Sequence, residues 1–206
     1  MTASTTGAAA PRTLRQLAGA PNDPPALADA ALVLIDCQNE YVDGRLALPG
    51  VAPALAEVEK LLAVARAAAM PIFHIAHRGQ PGGLFDRGGA GGAIADAAAP
   101  AGNETVIEKG LPNAFAGTSL QAALQASGRK QIVVAGFMTH MCVSSTVRAA
   151  LDLGYGSTVV ARGCATRDLP APDGGVVGAA ELHRASLAAL SDRFALIVAD
   201  SGAWQG

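Results

Sequence analysis

Cys142 lies in the run Val134-Ala135-Gly136-Phe137-Met138-Thr139-His140-Met141-Cys142-Val143, where an apolar segment passes through a glycine turn into the start of a helix. A thiol at a helix N-terminus meets unpaired N–H groups and the positive end of the helix dipole, which favours thiolate below the free value of about 8.5. Such a sulfur is a candidate nucleophile; the bland alternative is a small buried hydrophobe. Two more reactive side chains end apolar runs in the same way. Asp36 follows Leu34-Ile35 and precedes Cys37-Gln38-Asn39, and Lys109 follows Val106-Ile107-Glu108 and precedes Gly110-Leu111-Pro112-Asn113. Alone, Asp36 reads equally as a turn cap and Lys109 as a solvated lysine. Together with the cysteine they make a nucleophile, a carboxylate to take its proton, and a cation to hold that carboxylate ionised.

The elements that must position them follow from the pattern of apolar runs. Short stretches rich in Val and Ile occur at 31–35, 71–75, 104–107, 131–135, 157–161 and 195–198 without polar alternation, as in strands buried on both faces of a parallel sheet. Between them, helix-period stripes run over Pro53–Ala69, Thr118–Ser127, Val143–Leu153 and about Val177–Leu190, with Pro71, Gly128 and Gly154 at terminating positions. The spacing predicts an α/β three-layer sandwich with a mostly parallel sheet of about six strands. In such sheets ligands bind beyond the carboxyl ends of the strands, which is where Asp36, Lys109 and Cys142 emerge.

Residues 1–25 form an N-terminal extension that drapes over one domain, 26–206. The Gly- and Ala-rich stretch Arg78–Gly102, carrying Phe85 and Asp86, is either a long loop or a loop with a weak helical turn, and a loop of that length is usually kept for function. The net charge of −2 and the 16% of charged residues, spread without runs, exclude a nucleic-acid scaffold and a polybasic membrane binder and favour a small-molecule partner. Three cysteines with no metal-cage or disulfide spacing point to a reducing cytoplasm, and no segment has the length and apolarity to span a bilayer.

The chain resembles the isochorismatase-like cysteine hydrolases from about residue 28 to 200. The resemblance rests on Leu34-Ile35-Asp36-Cys37-Gln38-Asn39, on Glu108-Lys109 with Asn113-Ala114-Phe115, and on Gly136–Val143 with Thr146, Arg148 and Ala149, in that order. It implies a catalytic triad of Asp36, Lys109 and Cys142, a cis peptide between Phe137 and Met138, and an oxyanion hole made by the N–H groups of Met138 and Cys142. It also implies no cofactor, and a homo-oligomer, dimer or tetramer. Members that open the vinyl ether of isochorismate lack the cysteine, so Cys142 favours hydrolysis of a C–N bond in a small amide, imide-derived acid or carbamoyl compound through a thioester. The metal-binding nicotinamidase branch carries an Asp-x-His pair after the first motif; here Asp43 is followed by Gly44-Arg45. Two alternatives remain at this level: hydrolysis of another bond, and an inactive binding protein of the same fold.

Candidate substrate-binding residues are Gln38, Tyr41, His77, Phe115, Phe137, Thr139 and His140, with Phe85 beside them. His74 and His77, three apart on a strand, face opposite ways and share no metal. His77 stands at the rim; His140 lines the pocket or caps the loop; His183 is structural or on the surface. Cys37 and Cys164 are structural, with 162–173 read as a loop after the fifth strand.

Overall fold

A computed structural model describes residues 10–205. Six strands form one parallel sheet: β1 (Ala30–Ile35), β2 (Ile72–His77), β3 (Thr105–Lys109), β4 (Gln131–Phe137), β5 (Gly156–Ala165) and a short final strand, Leu196–Val198. The order across the sheet is β3-β2-β1-β4-β5 and then that final strand. The chain therefore builds outward from β1 in one direction and returns to its other side with β4, so the topological switch point lies between the carboxyl ends of β1 and β4.

Both faces are covered, and β1 shows why its sequence is apolar throughout. Leu32 and Leu34 pack in one core with Val58, Leu61 and Leu62 of a helix over Val51–Ala67. Ala31, Val33 and Ile35 point the other way into a second core with Leu120, Leu124, Val147 and Leu190. Those residues come from helices Leu120–Ser127, Ser144–Asp152 and Ala179–Arg193. In chain order, with the N-terminal turn Leu14–Leu17 as α1, the helices are α2 (Val51–Ala67), α3 (Leu120–Ser127), α4 (Ser144–Asp152) and α5 (Ala179–Arg193).

Three elements differ from the sequence reading. β5 runs on through Cys164 and Ala165, residues expected in a loop, because Gly136 and Phe137 of β4 continue the pairing after a register shift. A small antiparallel hairpin, β6 (Leu169–Pro170) with β7 (Val176–Val177), fills the stretch before α5, and the final strand is thus β8. The helix expected from residue 143 begins with a wide π turn, Thr139–Val143. Such turns are rare and cluster at functional sites.

Of the N-terminal extension, residues 1–9 lie outside the described region. The rest is tied down: Leu14 N–H donates to Asp192 Oδ1 of α5 at 2.8 Å, and Trp204 Nε1 donates to the Pro25 carbonyl at 2.9 Å. No described helix is long and apolar enough to cross a membrane.

Candidate active site

Asp36 leaves β1 with φ of 50°, a left-handed conformation that a non-glycine residue adopts only where its surroundings hold it there. Across the switch point, Gly136 sits at φ 120°, and a Cβ built on it would meet the Ile35 carbonyl oxygen at 2.0 Å. Only glycine lets β4 run this close to the end of β1. The chain then passes through a cis Phe137–Met138 peptide into the π turn that carries Cys142. Met138 N–H has no hydrogen-bond acceptor among the described residues, while its carbonyl accepts from Met141 and Val143.

Lys109 reaches this point from β3. Its side chain and that of Asp36 are fully buried, with Nζ 2.7 Å from Asp36 Oδ2. The same Nζ lies 3.3 Å from Cys142 Sγ and 3.3 Å from His77 Nδ1. The contact with Asp36 is an ion pair with both charges taken out of water. The loop after Lys109 is fixed to α4 by Ala114 N–H donating to Thr146 Oγ1 at 3.0 Å. The structure thus brings Asp36, Lys109 and Cys142 into one buried cluster.

The electrostatics correct one expectation. Burial, first, and then the Asp36 carboxylate push the Cys142 thiol up to about 12, with Lys109 opposing. Burial also raises the Asp36 carboxyl, against the pull of Lys109. The dipole of the following turn does not prevail against desolvation and a neighbouring anion. The resting sulfur is therefore a thiol beside a carboxylate whose basicity is enhanced. Cys37 and Cys164 are buried free thiols, both raised by burial and so neutral.

Three of the candidate substrate contacts, Gln38, Thr139 and Phe137, are fully buried. Gln38 is fully buried, and its amide donates to the carbonyls of His77 at 2.9 Å and Gly92 at 2.8 Å while accepting from His77 N–H at 2.7 Å. Both donor hydrogens are occupied by main chain, so Gln38 holds the 78–102 loop against β2. Thr139 is equally buried: its hydroxyl donates to the Ala165 carbonyl at 3.1 Å and lies 2.9 Å from His183 Nδ1. Since the hydroxyl proton is taken, His183 donates to it, tying α5 to the nucleophile loop. Phe137 is fully buried in the core. Phe115 stacks on Tyr155 with ring centroids 5.9 Å apart.

Others remain beside the cluster. Tyr41 packs edge-on against Phe85 and Phe137, at 4.9 and 5.8 Å between centroids, and Phe85 also meets the His77 ring at 5.2 Å. Phe85 holds φ of 57° in the long loop, and its N–H reaches Glu40 Oε2 at 3.4 Å while Glu40 Oε1 accepts from Arg45 N–H at 2.8 Å. His140 is half-buried with Nδ1 against Thr166 Oγ1. His74 faces away, its Nε2 2.8 Å from Glu104. Among the described residues no three His, Cys, Asp or Glu side chains gather as a metal ion would require.

One residue escaped the sequence reading. Arg167 follows β5, is half-buried, and its positive charge acts on both Tyr41 and His140. Its buried Nε has no hydrogen-bond partner, and none of the ion pairs among the described residues includes it. Nothing in the sequence marks it, because the apolar run of the fifth strand stops at Ala161 and only the folded chain carries β5 on to Ala165.

Comparison with known proteins agrees with the fold and the motifs. The model of the isochorismatase domain matches residues 30–200. The structure of an isochorismatase from Pseudomonas putida superposes with a TM-score of 0.88 at 42% identity, covering 92% of this chain and 97% of that one. A secreted isochorismatase effector of Verticillium dahliae is 36% identical over 185 residues, 89% of this chain and 95% of its own. The maleamate amidohydrolase of Pseudomonas putida is 32% identical over 151 residues, 65% of this chain and 70% of its own. The chain belongs to the isochorismatase family, and it is a hydrolase of that family.

Proposed function

We propose that the protein hydrolyses the C–N bond of a small amide through a thioester on Cys142. The observation that carries this reading is the single buried ammonium of Lys109 placed between the Asp36 carboxylate and the Cys142 sulfur. Asp36 takes the thiol proton as the sulfur attacks the carbonyl carbon. The N–H groups of Met138 and Cys142 receive the oxyanion, each contributing on the order of 3 kcal/mol in the transition state. Asp36 then returns the proton to the departing nitrogen, the C–N bond breaks, and the acyl group remains on sulfur. A water molecule, losing its proton to Asp36, attacks the thioester; the acid leaves and the proton returns to Cys142. Lys109 keeps Asp36 charged between these transfers. The kinship with an amidohydrolase supports the choice of bond.

The half-buried, unpaired Arg167 points to an anionic group on the amide, because its buried Nε has no acceptor until a carboxylate or similar group meets it. A panel of small amides, with and without a carboxylate, assayed for ammonia release tests both statements. Amic acids are expected to turn over fastest, and mass spectrometry of the quenched enzyme should find the acyl group on Cys142. Arg167→Met is expected to raise KM for the anionic amides by roughly ten- to a hundredfold, the loss of one charge-assisted hydrogen bond, with little effect on neutral ones. Equal loss on both classes would remove Arg167 from substrate recognition, and an acyl group found elsewhere would end the Cys142 assignment.

A further inference from the structure

Lys109 has three ammonium hydrogens and three neighbours: Asp36 at 2.7 Å, Cys142 at 3.3 Å and His77 at 3.3 Å. The first two belong to the chemistry proposed above. The third is not required by it, yet it is built into the sheet. His77 and Lys109 are register partners at the ends of β2 and β3, so their side chains leave the sheet side by side. The His77 backbone is clamped on both sides by Gln38, and its ring is backed by Phe85. Two neighbouring strands and the long loop therefore converge to hold one imidazole nitrogen against a buried lysine.

We infer that His77 is a positioning residue of this site: its neutral imidazole accepts the third Lys109 N–H through Nδ1 and so aims the other two hydrogens at Asp36 and Cys142. An ammonium has only donors, so the contact fixes the tautomer, with the His77 proton on Nε2. Nε2 itself has no protein partner among the described residues. Without His77, one hydrogen of a fully desolvated cation would have no acceptor, and the ammonium would turn away from the carboxylate or the sulfur to find one.

The surroundings favour the neutral ring. Burial, and then the charge of Lys109, hold His77 below its ordinary value. The other charged groups nearby do not oppose this. Asp36 is paired with Lys109, and Glu108, next to Lys109 on β3, lies 3.7 Å from Arg78 and 3.0 Å from Arg87. Phe85, packed against the ring from the loop, carries no charge. As pH falls through the lowered His77 value, the imidazolium that forms has no lone pair for Lys109, and positioning is lost.

This inference rests on the proposed reaction, but its first test does not. Imidazole nitrogen–proton correlation spectra of the full-length protein at neutral pH are expected to show His77 protonated at Nε2 and bare at Nδ1. A proton on Nδ1, or a charged ring at that pH, overturns the proposal whatever the enzyme hydrolyses. In turnover, His77→Phe keeps the bulk but removes the acceptor and should lower kcat about a hundredfold, as a misaimed catalytic group does, with KM within about threefold. His77→Asn places an amide oxygen where Nδ1 stands and should recover most of that loss. It should also lack the part of the acid decline that follows the His77 titration in the spectra. Loss of KM alone, or Asn no better than Phe, overturns the positioning role. Turnover surviving Cys142→Ala would instead defeat the reaction and leave the spectroscopic result standing.

Discussion

Replacing Cys142 by alanine is expected to lower turnover by roughly 10⁴- to 10⁶-fold, the cost of removing a covalent nucleophile, while the fold persists. The side chain is small and almost wholly buried, so losing its sulfur costs about 1–2 kcal/mol of stability from packing and the Lys109 contact. The variant should still bind substrate, since the groups around the sulfur remain. Circular dichroism, thermal melting and ammonia release measured on the same preparation separate the two effects. The resting thiol makes a second, independent mark. Because burial and Asp36 push Cys142 up to about 12, alkylation by iodoacetamide should be slow at neutral pH and rise about tenfold per pH unit through the alkaline range. Fast alkylation that is independent of pH above 7 would mean a standing thiolate and would assign Asp36 a different task.

What the sequence could and could not say about this site has a physical basis. β1 and β4 were legible because strands buried on both faces are continuously apolar, and the sheet-end rule then placed Asp36 and Cys142 at one rim. The extension of β5 was hidden by Arg162 and Gly163, which break the apolar run although the backbone pairing of β4 continues past them. Gln38 and Thr139 sit in the expected loops, but a polar side chain there turns toward either ligand or main chain, and unmet carbonyls from residues 77, 92 and 165 decided the matter. Those carbonyls belong to distant segments, and no local spacing reveals them. The balance of charge around Cys142 is hidden from the sequence for a related reason. A helix terminus is visible in sequence, whereas the depth of burial and the approach of Asp36 arise only in the folded chain.

Lys109→Met is expected to destabilise the protein by roughly 3–5 kcal/mol at neutral pH, as removing one member of a buried ion pair leaves the other charge uncompensated. Methionine nearly matches the lysine stem, so the loss reports charge rather than volume. Its pH dependence follows from Asp36. The folded-state value of that carboxyl is already raised above 3.8 by burial, and losing the cation removes the main influence that lowers it. A carboxyl with a raised folded value binds its proton more tightly in the native state, so stability is gained as pH falls from that raised value toward 3.8. The variant should therefore recover on acidification over a window in which the wild type recovers less. Adding Asp36→Asn, a residue that tolerates the left-handed backbone at this position, removes the orphaned charge. The double variant is expected to regain most of the loss at neutral pH and to lose the acid recovery, though not the activity defect. Urea denaturation of the wild type, Lys109→Met, Asp36→Asn and the double variant at two pH values decides the matter: energies that simply add would mean that the two buried charges do not stabilise one another, and the cluster would then lose its basis as a catalytic unit.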